Sequence, residues 1–181
     1  MTEPQEFVCS ETLRNGLAVT IRALRPDDRE RVAAAIHKLD PESIYTRLFS
    51  RRTELTETAL DRIMRVDPAR DVALVVTVGS GADETVIASC RCIESGGEGG
   101  ERKAELAFVV EEDYRGLGIA SCLMKHLVRI ARERGLAMLE ADVLGENKAM
   151  RSVFTRCGLP MQKRYEGGTV HVEMSLHQPE G

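Results

Sequence analysis

No stretch of this chain approaches the roughly 18 consecutive apolar residues that a membrane-spanning helix needs, so an integral membrane protein is not expected. The opening residues, Met1 to Glu6, are acidic and carry no apolar core of a secretory signal, which sets the expectation of a cytoplasmic protein. An excess of positive charge is missing too. With 25 Lys+Arg against 29 Asp+Glu the formal charge is −4, which argues against bulk, non-specific nucleic-acid binding. Cysteines are few and odd in number: Cys9, Cys90, Cys92, Cys122 and Cys157 read as reduced thiols rather than a disulfide framework. Cys90 and Cys92 sit in a β-like run that points both thiols to one face, but further ligands are lacking. His37, His126, His171 and His177 show no metal-ligand spacing, so no metal is expected. Neither an internal repeat nor a domain boundary is visible, and residues 1–181 read as a single domain.

What is present is a soluble, core-forming composition, 43% apolar and 30% charged over 181 residues. Asn15-Gly16 is a hairpin signal between two β-like runs. The second run, 17–24, alternates Leu17, Val19 and Ile21 on one face. Pro26 ends it, and an Asp there is suited to cap the helix expected over 28–39, with Val32, Ala35, Ile36 and Leu39 as its apolar stripe. Short helices are expected over 42–49, after Pro41, and over 56–66. Strands follow at 72–78, 85–93 and 103–110, the first two joined by a glycine-bearing turn. Gly96 to Gly100 reads as a flexible connector. An amphipathic helix over 119–134 carries Ile119, Leu123, Leu127 and Ile130 on one side. A strand over 136–144, a helix over 147–157 and a strand over 168–176 complete a mixed α/β domain built on a central sheet.

The most informative stretch is Tyr114-Arg115-Gly116-Leu117-Gly118-Ile119-Ala120, between the strand at 103–110 and the helix at 119–134. Glycines at such a junction bring the backbone close to a ligand. The first amides of a helix have no partners within it, and the helix dipole adds partial positive charge there. Phosphate oxygens are attracted to that combination. Tight strand–helix packing is the alternative role for Gly116 and Gly118.

In these residues the chain resembles the GNAT superfamily of acyl-CoA N-acyltransferases. That family's acyl-CoA motif is Arg or Gln, two residues, Gly, one residue, then Gly or Ala; Arg115, Gly118 and Ala120 fit it. Its second motif is an Asn, an aromatic seven residues on, then a Gly-Phe pair; Asn147, Phe154 and Gly158-Leu159 occupy those places. The likeness covers roughly residues 17–176. A narrower likeness, to bacterial protein-lysine acetyltransferases, lies in Leu13 to Gly16, Ile21 to Asp28, Pro41 to Phe49, and Glu105 within 104–110.

The resemblance implies a GNAT fold, with a mostly antiparallel central sheet splayed at its central strand and flanked by helices. It implies acyl transfer from acetyl-CoA to an amine, by direct attack rather than through a cysteine, since no Cys–His pair is evident. Amides between Arg115 and Ser121, those of Leu117, Gly118, Ile119 and Ala120 above all, would hold the diphosphate, with Gly116 permitting close approach and the Arg115 side chain adding charge. Backbone groups of Phe108, Val109 and Val110 would pair with the pantetheine arm, the Val110 amide polarising the thioester carbonyl. Glu105 would be the general base; strand alternation puts it on one face with Ala107 and Val109, and an ordinary ion pair with Arg102 or Lys103 is its alternative. Asn147 reads both as a helix N-cap and as a neighbour of the cofactor arm. Many family members have Tyr where this chain has Phe154, so the usual general acid is absent; Cys157, Ser152 and Tyr165 are replacements that spacing does not separate. Tyr45, Arg47, Phe49 and Tyr165 are candidates to shape the acceptor pocket, and Glu42, Glu54 and Glu57 to attract a cationic acceptor. The acceptor expected is a protein lysine, with a small-molecule amine, or a non-catalytic acyl-CoA-binding regulatory module, as alternatives; a homodimer is compatible.

Overall fold

The computed structural model describes residues 4–38, 57–96 and 99–177. Eight strands lie in one sheet, in the order β1-β2-β3-β4-β5-β6-β8-β7. They are β1 (Val8–Thr12), β2 (Ala18–Ala23), β3 (Asp71–Val78), β4 (Thr85–Ser95), β5 (Lys103–Val110), β6 (Met138–Leu144), β7 (Met161–Glu166) and β8 (Thr169–Ser175). Among the described residues four α-helices accompany them: α1 (Arg29–His37), α2 (Glu57–Met64), α3 (Ile119–Glu133) and α4 (Lys148–Arg156). Among the described residues no helix is long and apolar enough to cross a membrane. Two compact units divide the chain, one drawn from residues 2–91 and 108–119, the other from 92–107 and 120–181.

In the first unit the Asn15-Gly16 signal does form a hairpin. The Leu13 amide donates to the Leu17 carbonyl at 2.9 Å, the Asn15 side chain accepts from the Leu17 amide at 3.1 Å, and Gly16 takes the φ of 85° that the turn needs. β1 and β2 pair antiparallel from Val8↔Arg22 to Thr12↔Ala18, and β2 pairs antiparallel with β3. β3 is buried from Val72 to Thr77, as its β-branched composition predicts. Of the stripe expected on α1, Val32 and Ile36 are buried and cluster with Leu60 of α2. Leu39 and the helix expected over 42–49 lie outside the described residues.

One arrangement runs against the alternation read from β2. Arg22, next to Ile21 and so on the other face of the strand, is as buried as Val19 and Ile21, at 2% exposure. Its guanidinium makes two bonds to the fully buried Asp28 carboxylate, 2.8 and 2.7 Å, and reaches Glu84 at 3.1 and 2.9 Å. Asp28 therefore does not cap α1 with its side chain; it turns back to Arg22 and to the Arg25 amide, 2.7 Å away. A buried guanidinium needs such partners, because desolvation of an unpaired charge is costly. Burial by itself would raise the Asp28 pKa, but the bonds from Arg22 and Arg25 hold it below the usual carboxylate range.

In the second unit β5 pairs with β6 in parallel, but only over Lys103–Glu105 against Met138–Glu140. β5 itself runs on to Val110 and β6 to Leu144, which is the early end of pairing that a splayed central strand requires. β6 pairs antiparallel with β8 over seven residues and β8 with β7 over six. One face of these strands is buried: Leu139, Ala141, Val143, Val170, Val172 and Met174 are all at or below 3% exposure. The stripe of α3, including Leu123, Leu127 and Ile130, is buried as the periodicity predicts. β7 was not legible in the sequence. It is an edge strand of polar and charged residues exposed nearly throughout, so it carries no period-2 apolar signal.

In urea titrations at neutral pH, Asp28→Ala, which leaves the buried Arg22 with Glu84 but without its two bonds to Asp28, is expected to lower stability by about 3–5 kcal/mol. Because the folded-state pKa of Asp28 is depressed, its contribution is present above the ordinary carboxylate pKa of about 3.9 and fades as pH falls below it. The gap between the two proteins should therefore narrow on acidification; a gap unchanged at acid pH would contradict the ion-pair account.

Candidate functional site

β5 supplies the first part of the site. Ala104, Leu106 and Phe108 are buried on one face, while Glu105 is exposed and Ala107 and Val109 are half-buried on the other. Val110, expected with the buried set, is half-buried where the strand ends. The residues beside Glu105 in sequence are committed elsewhere. Arg102 makes two bonds to Glu94, 2.7 and 3.0 Å, and Lys103 lies 3.6 Å from Glu140. Among the described residues the Glu105 carboxylate makes no hydrogen bond or ion pair. It begins a row: Glu105 is the register partner of Glu140, and Glu140 of Glu173. Three carboxylates side by side on one sheet face favour a cation there. Spacing in sequence gave no sign of that row, since its members come from three strands.

After β5 the chain makes a tight turn, with Tyr114 and Arg115 amides bonded back to the Glu111 and Glu112 carbonyls. Glu111 is 93% buried by its 7% exposure, and its Oε2 has no hydrogen-bond partner among the described residues. The Arg115 guanidinium folds back to the Val110 carbonyl at 3.3 Å, and the residue is exposed. Gly116 and Gly118 have φ of 80° and 92°, the left-handed region that other residues avoid. Leu117 accepts a bond of 3.3 Å from the Arg14 amide, so the β1–β2 hairpin steadies this loop. Among the described residues the amides of Gly116, Leu117 and Gly118 donate to no backbone or side-chain acceptor. They lead directly into Ile119, Ala120 and Ser121 of the first turn of α3, whose own amides are unpaired within the helix. Bare amides ahead of a 15-residue helix make an anion-binding arrangement.

α4 carries the last candidates. Asn147 is its N-cap, with Oδ1 accepting from the Met150 amide at 3.1 Å, so the capping role is realised. Phe154 is buried at 2% exposure. Of the groups suggested in place of its missing hydroxyl, the Cys157 thiol donates to the Phe154 carbonyl at 2.9 Å and Ser152 is half-buried. The Tyr165 ring is 66% exposed, its hydroxyl accepting from Arg151 at 3.2 Å while the Arg151 guanidinium lies 5.8 Å from the ring centre. Of the acceptor-pocket candidates, Tyr45, Arg47, Phe49, Glu42 and Glu54 lie outside the described residues. Glu57 is taken up in an exposed ion pair with Arg29 at 2.7 Å.

A family model described as "Acetyltransferase (GNAT) domain" matches residues 18–160. An acetyltransferase of Pseudomonas aeruginosa is 30% identical over 162 residues, 88% of this chain and 84% of that protein. Acetyltransferase Pat of Mycolicibacterium smegmatis is 35% identical over 164 residues, 91% of this chain but 47% of that longer protein. Among solved structures, the GNAT domain of S. lividans PAT superposes with a TM-score of 0.81 at 30% identity, covering 93% of this chain and 96% of that one. An acetyltransferase of Salmonella typhimurium, solved with its cofactor acetyl-CoA, shares the fold at a TM-score of 0.68 and 16% identity, covering 90% of this chain and 96% of that one.

The left-handed glycines give a stability test of the loop. A Cβ on Gly116 would meet nothing within 4 Å, and one on Gly118 would meet only the Arg14 side chain, nearest atom 3.5 Å. Gly116→Ala and Gly118→Ala are thus expected to cost backbone strain alone, about 1–2 kcal/mol each by thermal or urea unfolding. No loss in either would show that the loop adopts another backbone conformation in solution.

Proposed function

We propose a lysine acetyltransferase, from the premise that this chain belongs to the GNAT acetyltransferase family. The family's acyl donor is acetyl-CoA. In this reading the amides of Gly116 to Ser121 hold the cofactor's diphosphate, with Arg115 adding charge. Phe108, Val109 and Val110 pair with the pantetheine arm through their backbone, and the Val110 amide donates to the thioester carbonyl. A donor aimed at an oxyanion contributes roughly 2.7–4 kcal/mol to such a step. Asn147 and Phe154 border the arm, and residues 1–181 work as one catalytic domain.

The observation that carries the reading is Glu105: an exposed carboxylate on the central strand with no partner among the described residues. A lysine amine, with a pKa near 10.4, is charged at neutral pH and must lose a proton before it attacks. Glu105 takes that proton, directly or through one water. The free amine then adds to the thioester carbonyl, the C–S bond breaks as the coenzyme A thiolate departs, and the second proton of the new amide nitrogen passes to that thiolate or to water. A thiol of pKa near 8.5 leaves without a strong acid, so Phe154 in place of the usual Tyr is compatible with turnover.

The acidic row Glu105–Glu140–Glu173 supports a cationic acceptor. Similarity to Acetyltransferase Pat, and the likeness to protein-lysine acetyltransferases in 13–49, favour a lysine side chain within a protein. A small amine is the second reading. Its support is 34% identity over 76 residues to L-2,4-diaminobutyric acid acetyltransferase of Streptomyces coelicolor, 39% of this chain and 45% of that protein.

Coenzyme A release is to be followed with acetyl-CoA against lysine-bearing proteins and small amines. Glu105→Gln is expected to lower kcat by about 10²–10⁴-fold while calorimetry shows unchanged acetyl-CoA affinity. Gly118→Val should do the reverse and weaken cofactor binding. Full activity in Glu105→Gln would remove it as the base, and no acetyl-CoA binding by the parent protein would remove the whole reading.

A further inference from the structure

We propose that Glu140, His171 and Glu173, on one face of β6 and β8, form a site for a single divalent transition-metal ion of the zinc class. Antiparallel register places Glu140 opposite Glu173 and Asp142 opposite His171, so the residues fall on the same face in adjacent rows. The imidazole is already oriented. Its Nδ1 lies 2.7 Å from Asp142 Oδ1, which turns Nε2 toward Glu173 Oε1 at 3.6 Å. A histidine whose second nitrogen is held by a carboxylate is the arrangement that fixes ring direction and basicity in metal sites. One ligand atom from each of Glu140, His171 and Glu173 lies within 4.8 Å of the other two.

Bonds of about 2.0–2.2 Å around a tetrahedral zinc space its ligands about 3.3 Å apart. The His171–Glu173 distance of 3.6 Å is close to that, and Glu140 offers a carboxylate oxygen within 4.8 Å of both. The side chains are 21–31% exposed, sheltered yet reachable by an ion with a water in its fourth position. Two carboxylates balance the ion's charge, and the imidazole favours zinc-like metals over calcium or magnesium. The Lys103 ammonium, 3.6 Å from Glu140, competes with a metal for that carboxylate. Absence of ligand spacing in the sequence led to the expectation of no metal; the ligands come from two strands and meet only through register. This site does not rest on the acetyl-transfer reading and is tested without it.

Metal-free protein is to be titrated with zinc chloride by calorimetry, and with cobalt(II) by visible absorption. One ion per chain is expected. His171→Ala and Glu173→Gln should each weaken binding at least tenfold, and Asp142→Asn, which frees the ring, by about 10–100-fold. Lys103→Met should tighten it by removing the competing cation. The cobalt spectrum should show nitrogen and oxygen ligands with no thiolate charge-transfer band. Thermal melts of the metal-free variants check folding, the near-isosteric Glu173→Gln standing in if His171→Ala is unstable. No saturable binding, a thiolate band, or affinity unchanged in both Glu173→Gln and His171→Ala would overturn the proposal.

Discussion

The ladder between β5 and β6 stops at Glu105 and Glu140, while β5 continues for five more residues. A strand's amides and carbonyls do not go without partners at low cost. Where a ladder ends early, water or a ligand's own amide takes its place. That constraint bears on the chemistry: it places the side chain at the last paired position, Glu105, where the ladder between β5 and β6 ends. The left-handed glycines just downstream extend the same principle, with amides that satisfy nothing within the described protein and suit an anion.

Charge is handled in two contrasting ways. In the unit holding β2 and β3 a buried arginine is enclosed by Asp28 and Glu84, every nitrogen of its guanidinium engaged. Such a cluster fixes the entry to α1 and is costly to disturb. In the unit holding β6 and β8 acidic side chains gather on one sheet face, with Glu105, Glu140 and Glu173 adjacent in register and Lys103 3.6 Å from Glu140. The first arrangement stabilises the fold; the second leaves a negative face that a cation, whether an amine or a metal, is drawn to.

Strongly periodic elements were legible from residue order. α3 shows its stripe from Ile119 to Ile130, β3 its β-branched run, and Asn15-Gly16 its hairpin, because each signal is local and needs no partner to be read. The loop at Arg115 to Ala120 was legible for the same reason: glycine's freedom at positive φ is a property of the residue itself. β7 was hidden because an exposed edge strand has no apolar face to announce it. Alternation does not announce the burial of Arg22, because it describes a strand with one wet face, and here a partner six residues on neutralises the buried side.

The sequence by itself determined the order of most elements, the glycine-marked loop ahead of α3, the capping role of Asn147 and the family to which the chain belongs. Tertiary structure alone decided that Arg102 and Lys103 turn to Glu94 and Glu140, leaving Glu105 unpaired among the described residues, and that His171 meets Glu140 and Glu173. The reason is physical. Backbone conformation and periodicity are written in neighbouring residues, whereas pairing between strands depends on register, and register joins positions that lie tens of residues apart.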